Sequence, residues 1–123
     1  MRSAVNVEIG RYGHFPVLYL GGDFDDQHHS DLIDAVAELE ALGDRLIISL
    51  LDASYMDSTA VGIVIGTHRR VGNRGGVLAV TVGDSAVKRL FDVLEVHKEL
   101  RLFASLEESR DFLVSSMVSL PLA

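Results

Sequence analysis

Short apolar runs broken by polar turns, rather than long amphipathic stretches, dominate the chain. Val5, Val7 and Ile9 alternate with Asn6, Glu8 and Gly10, the period-two pattern of a half-buried strand. Arg11-Tyr12-Gly13-His14 reads as a turn. Beyond Pro16, Val17-Leu18-Tyr19-Leu20 forms a second strand ended by Gly21-Gly22, so the two make a hairpin. Asp23 to Ser30 is a polar loop leading into a helix. That helix sets Leu32, Val36 and Leu39 on one face with Ile33 and Ala37 beside them, has Asp31 and Asp34 in its first turn, and stops at Gly43. Leu46 to Leu51, too short for a helix and ending in Asp52, reads as a strand buried on both faces, followed by a loop.

Three residues that each cap helices, Asp57, Ser58 and Thr59, then precede the apolar and small segment Ala60 to Gly66, which predicts a helix from about Ser58 to Gly72. After the turn Asn73-Arg74-Gly75-Gly76 comes a strand, Val77 to Val82. Ser85 caps the next helix, whose inner face is Val87, Leu90, Phe91 and Leu94. Leu100 to Phe103 is a short last strand. Ser105 and Glu108 form a capping box for a final helix to about Val114, with the chain fraying after Ser116 and 115–123 forming a tail. Strands and helices alternate after the hairpin. The fold class is therefore α/β: one domain over 1–123 with its core at about 5–114, a mixed, mostly parallel sheet of four to five strands, and about four helices.

Composition narrows the partners. At 123 residues there is room for one core, and 48% hydrophobic with 24% charged residues is an ordinary globular balance. Cysteine is absent, which removes disulfides and thiolate metal sites. The N-terminal residues are too polar for a signal peptide and no apolar run approaches the ~20 residues that cross a bilayer, so the expected location is cytoplasmic, away from membranes. A formal charge of -7 opposes nucleic-acid binding, and Arg69, Arg70, Arg74, Lys88 and Arg89 read as helix-end charges rather than a basic stripe.

Candidate chemistry centres on Asp57-Ser58-Thr59. One oxygen suffices to cap one helix, so at least one hydroxyl, that of Ser58, is left to point outward. The residues leave two readings open: a plain helix cap, or a phosphorylation site whose phosphate would meet free N–H groups and the positive end of the helix dipole. A hydrolase reading fails because Gly-x-Ser-x-Gly is not met, with Met56 and Ala60 in the glycine positions, and no catalytic residue or enzyme activity is assigned. Asp23, Asp25 and Asp26 do not make a calcium loop, since His28 and Asp34 stand where glycine and glutamate are required; they read as surface beside Ser58. His28-His29 lacks metal-ligand spacing and reads as solvated loop, so neither a metal site nor a cofactor is expected. Gly62 and Gly66 are attributed to close packing of their helix on the sheet, and Gly75-Gly76 to a turn.

Met56-Asp57-Ser58-Thr59-Ala60-Val61-Gly62, with Gly75-Gly76 before a strand, Ser85-Ala86-Val87-Lys88-Arg89-Leu90-Phe91 and the Gly22-Asp23-Phe24-Asp25 step, resembles the STAS family, and within it the stand-alone anti-sigma factor antagonists (anti-anti-sigma factors). The resemblance runs from about Val5 to Phe112. It implies a phosphoprotein that works by partner switching in transcription regulation. An unphosphorylated antagonist binds an anti-sigma factor serine kinase, phosphorylation of Ser58 releases it, and a phosphoserine phosphatase restores it. The docking surface is implied to comprise Asp23, Asp25, Asp57, Ser58 and Thr59. Weak nucleotide binding is a further property of some relatives, and the alternative role is a subunit or scaffold of a transporter or sensory complex without a phosphorylation cycle. The family usually places glycine where this chain has Ala60.

Overall fold

Each strand after the opening hairpin returns to the sheet through a helix, and that connectivity sets the architecture. In the computed structural model, which describes residues 5–117, the chain runs β1 (Val5–Tyr12), β2 (Phe15–Phe24), α1 (His29–Glu40), β3 (Arg45–Met56), α2 (Ser58–Asn73), β4 (Val77–Thr81), α3 (Ala86–Val93), a 3-10 turn (Val96–Lys98), β5 (Arg101–Phe103) and α4 (Leu106–Met117). The sheet order is β1-β2-β3-β4-β5, with β1 antiparallel to β2 and every later pair parallel. This is the α/β fold with a mixed, mostly parallel sheet that the alternation predicts, with five strands and four α-helices among the described residues.

Sequential strand order makes every crossover step in one direction, so a constant handedness collects α1, α2 and α3 on one face. Their inner residues, among them Leu32, Val64 and Phe91, share one core with Leu18, Ile48 and Val80. With no strand left to lead to, α4 covers the other face, where Leu113 meets Phe15, Val17, Ile47 and Ala79. Alternate residues of β3 point into the two cores, which is why Leu46, Ile47 and Ile48 are all fully buried.

Several boundaries differ from the sequence reading. β2 passes through Gly21-Gly22 to Phe24 and β3 passes through Asp52 to Met56. The glycines mark a bulge instead of a stop: the register slips between Tyr19 and Gly21 and again between Gly22 and Asp23, with Gly22 at φ +90°. Asp23 therefore lies in a strand. The hairpin turn narrows to Gly13-His14, and β4 ends at Thr81. α1 starts at His29, so His29 and Ser30 belong to it and Asp34 falls in its second turn. Its inner face carries Ala35 in place of Ala37, and Ile33 is half exposed. Leu94 lies past the end of α3 and is exposed. α4 begins with Ser105 as the expected cap: the Glu108 N–H donates to Ser105 Oγ, and that hydroxyl donates to Glu108 Oε2, each at 3.1 Å. It continues beyond Val114 to Met117, and the rest of the tail, 118–123, lies outside the described residues.

Arg70, in the last turn of α2, and Arg74, just past its end, act at helix ends as expected, whereas Arg69 pairs with Glu99 and Lys88 and Arg89 stand in the first half of α3. Arg70 pairs with Glu40 at 2.8 Å, and Arg74 donates to the Glu40 carbonyl at 2.7 Å, satisfying a C-terminal oxygen of α1. Gly75 turns the chain as expected, at φ +84°, but the packing role expected of Gly62 and Gly66 is not observed. A Cβ at Gly62 would meet nothing within 4 Å and one at Gly66 only the end of Arg70, so neither packs on the sheet. The close approach is at Gly76, where a Cβ would stand 2.5 Å from the Asp44 carbonyl oxygen and 2.8 Å from Val71 Cγ1. Backbone bonds from Gly76 N–H to Val71 O (2.9 Å) and from Val77 N–H to Asp44 O (2.7 Å) hold the chain there.

Two substitutions separate these roles. Gly76→Ala drives a methyl into backbone atoms and should lower stability by about 2 kcal/mol. Gly62→Ala, at an exposed helix interior, should raise it by about 1 kcal/mol. Urea denaturation midpoints measure both, and a stabilising Gly76→Ala would contradict the packing described.

Candidate functional site

The bulge brings the carboxyl ends of β2 and β3 level, with Phe24 opposite Met56, and both side chains are buried. The next residue, Asp57, donates its N–H to the Phe24 carbonyl at 3.1 Å. Its backbone is extended (φ −81°, ψ 174°), its Oδ1 accepts the Ala60 N–H at 2.8 Å, and its carbonyl accepts the Val61 N–H at 3.0 Å. Asp57 is therefore the cap of α2. Ser58 is the first residue of the helix and is exposed, as is Thr59, while Ala60 is 0% exposed in the core. A methyl at position 60 is thus part of the packing under the helix start.

A second anchor was not legible in the sequence. His29 Nε2, from the first turn of α1, lies 2.8 and 2.9 Å from the two carboxylate oxygens of Asp57. Both partners are acceptors only, so Nε2 carries the proton and donates. The pair spans 28 residues and lies largely inside, with side-chain exposures of 22% and 25%. Burial works to push the Asp57 carboxyl up, but the Ala60 N–H and the His29 ring work against it, together with His29's charge and the Thr59 N–H, and the carboxyl is held below its usual value.

The preceding histidine also departs from the solvated-loop reading. His28 is 8% exposed, stands edge-on to Phe24, and its Nδ1 lies 3.1 Å from Asp25 Oδ1. The same oxygen accepts the Gln27 N–H at 3.0 Å. Asp25 thus closes its own loop, an Asx turn that delivers the chain into α1. Asp23 lies one strand over from the helix start, opposite Tyr55. Of the five residues expected at the docking surface, Asp57, Ser58 and Thr59 are consecutive at the mouth of α2, and Asp23 and Asp25 come from the adjoining end of β2 and its loop.

Thr59 also opens a shallow groove of about 620 Å³ between α1 and α2, floored by Gly62, Ile63 and Gly66 and flanked by Ile33. Among the described residues no set of three or more His, Asp or Glu side chains is placed to hold a metal ion, and no helix is long and apolar enough to cross a membrane. His29 addresses Asp57, so it is not arranged as a base for Ser58.

Comparison with known proteins bears on what this arrangement is. The STAS domain model matches residues 6–109. The anti-sigma-B factor antagonist of Bacillus subtilis (strain 168) is 32% identical over 89 residues, covering 72% of this chain and 82% of that protein. Among solved structures, an anti-sigma factor antagonist from Mycobacterium paratuberculosis superposes with a TM-score of 0.83 at 17% identity, over 90% of this chain and 95% of its own. The anti-sigma factor antagonist SpoIIAA has been solved unphosphorylated (TM-score 0.70, 20% identity, 93% of this chain and 100% of that one). Its phosphorylated form, from Bacillus, gives a TM-score of 0.57 at 21% identity, over 89% and 99%. The structural likenesses concern the fold, and together with the family model matched over most of its length they lead to one conclusion: this chain belongs to the STAS domain family.

Proposed function

We propose that this chain is an anti-sigma factor antagonist, switched by phosphorylation of Ser58. The carrying observation is the division of labour at the start of α2: Asp57 caps the helix, which leaves the Ser58 side chain exposed at its positive end. In the proposed cycle the partner is an anti-sigma factor that is also a serine kinase. Ser58 Oγ attacks the γ-phosphorus of ATP held by that kinase, and the bond to the β–γ bridging oxygen breaks. ADP leaves with the bonding pair, and the hydroxyl proton passes to a base of the kinase. A phosphoserine phosphatase later returns the hydroxyl using water. Support comes from the relatives named as antagonists and from the phosphorylated form of SpoIIAA, a protein of the same fold.

The modification adds about −1.5 to −2 charge beside Asp57. On a surface already carrying Asp23 and Asp57, a partner complementary to the free hydroxyl would meet a hydrated dianion, and docking would be lost through charge and desolvation. The chain itself would act as a regulator rather than a catalyst, in the compartment where sigma factors work.

Calorimetric titration with the anti-sigma factor purified as its partner tests the reading. Ser58→Asp should weaken binding by about 2 kcal/mol, roughly thirtyfold, while its melting temperature stays within about 2 °C. Ser58→Ala should bind with and without ATP. Wild-type protein that takes no phosphate on Ser58 from that kinase would refute the cycle.

The Asp57 anchor has its own pH signature. Its carboxyl titrates lower in the folded chain than the usual 3.8, so its contribution is complete above the unfolded value and is lost as pH falls through the folded one. Between pH 5 and 3 the stability margin of wild type over Asp57→Asn should shrink as pH falls. Urea midpoints across that range measure it, and a margin that grows on acidification would be the wrong sign.

A further inference from the structure

We infer that His29 is a screening residue for Asp57, the group that lets Ser58 carry a phosphate dianion without loss of the helix start; this rests on reading Ser58 as the modified residue. Asp57 has little freedom to move away from a new anion. Its N–H is bound to Phe24 O, its carbonyl to Val61 N–H and its Oδ1 to Ala60 N–H. A phosphate on the next residue would therefore be placed beside a carboxylate held in position. α2 brings no arginine or lysine near its start, since its first basic residue after the helix mouth is His68 and the arginines follow at Arg69 and Arg70.

His29 is the side chain the structure sets against that carboxylate, with Nε2 within 2.9 Å of both oxygens. A charge-assisted bond of this kind offsets part of the carboxylate's negative charge next to Ser58. Nε2 donates to Asp57 in either protonation state of the ring, so the contact needs no second proton at Nδ1. In the preceding loop, His28 is engaged with Asp25. His29 also comes from α1, so the same contact ties the first turns of α1 and α2 together across the mouth of the site.

The test places phosphoserine at position 58 by codon suppression in the full chain, so that no kinase is needed. Melting temperatures are measured with serine and with phosphoserine in wild type, His29→Ala, His29→Gln and the double variant His29→Ala/Asp57→Asn. Asn retains the cap, so the double variant removes the charge without removing the helix start. In wild type the phosphate should lower the melting temperature by less than about 2 °C. In His29→Ala it should lower it by a further ~4 °C, and His29→Gln, which still presents an N–H, should recover most of that difference. In the double variant the excess loss should vanish, because no carboxylate remains to be screened.

Equal phosphate sensitivity in wild type and His29→Ala would overturn the inference, as would an excess loss that persists with Asn at 57. A purely structural role for His29 would lower the melting temperature of both serine and phosphoserine forms alike and leave the difference unchanged. If His29→Ala does not fold, His29→Asn, too short to reach Asp57, takes its place with the same expected outcomes. Failure of the Ser58 cycle shows separately, as wild-type protein that receives no phosphate from ATP and the partner kinase.

Discussion

The arrangement depends on one local pairing, the bulged register by which the ends of β2 and β3 stay hydrogen-bonded past Gly21-Gly22. Without the two slips, Phe24 would not stand opposite Met56, and Asp57 N–H would not reach the Phe24 carbonyl. That single bond sets where β3 stops and where α2 starts. Both hydrophobic side chains at the junction are almost wholly buried, so apolar packing and the ladder support the same geometry. The start of α2 is thus the edge of a core rather than a loop hung from it, which suits the switch proposed for it.

Much of this was readable from residue pattern. Runs such as Leu46 to Leu51 and Val77 to Val82 pointed to the strands, Ser105 with Glu108 gave the last helix its start, and the surplus of capping groups at 57 to 59 pointed to the candidate site. What could not be read has physical reasons. Gly21-Gly22 ordinarily punctuates a strand, and only the partner strand reveals that the two glycines absorb a register slip. Gly62 and Gly76 are alike as letters; tertiary approach alone distinguishes the one facing open space from the one pressed against Asp44. His29 and Asp57 lie on different elements, and nothing in a polar loop ending in two histidines foretells that one turns inward to Asp25's loop and the other across to α2. Local chemistry chooses the elements, whereas pairs far apart in sequence choose the site.

The three hydroxyl and carboxylate groups at the head of α2 illustrate how identical capping ability resolves into different tasks. Asp57 has the shape and charge to accept from Ala60 N–H while its backbone stays extended, and an anion is favoured there by the helix dipole. Once that acceptor is in place, the helix start is capped without a further side chain. Ser58 then begins the helix facing solvent, and Thr59 faces the neighbouring groove between α1 and α2. The polar group that holds the helix start and the polar group proposed for modification are adjacent but separate, so a change at one need not compromise the other.

That separation bears on how a charge at Ser58 would act. The backbone around it is anchored in three directions by Asp57, and directly beneath it Ala60 and Met56 are at most 1% exposed. The structure shows one arrangement of the helix mouth, anchored at three points, whereas a conformational relay requires a second of comparable energy. In the proposed cycle phosphorylation therefore acts where the charge sits, through repulsion and the cost of stripping water from a dianion when another surface approaches. A switch built this way needs a rigid platform, a screened neighbour and an exposed oxygen, and the start of α2 provides all three within one turn of helix.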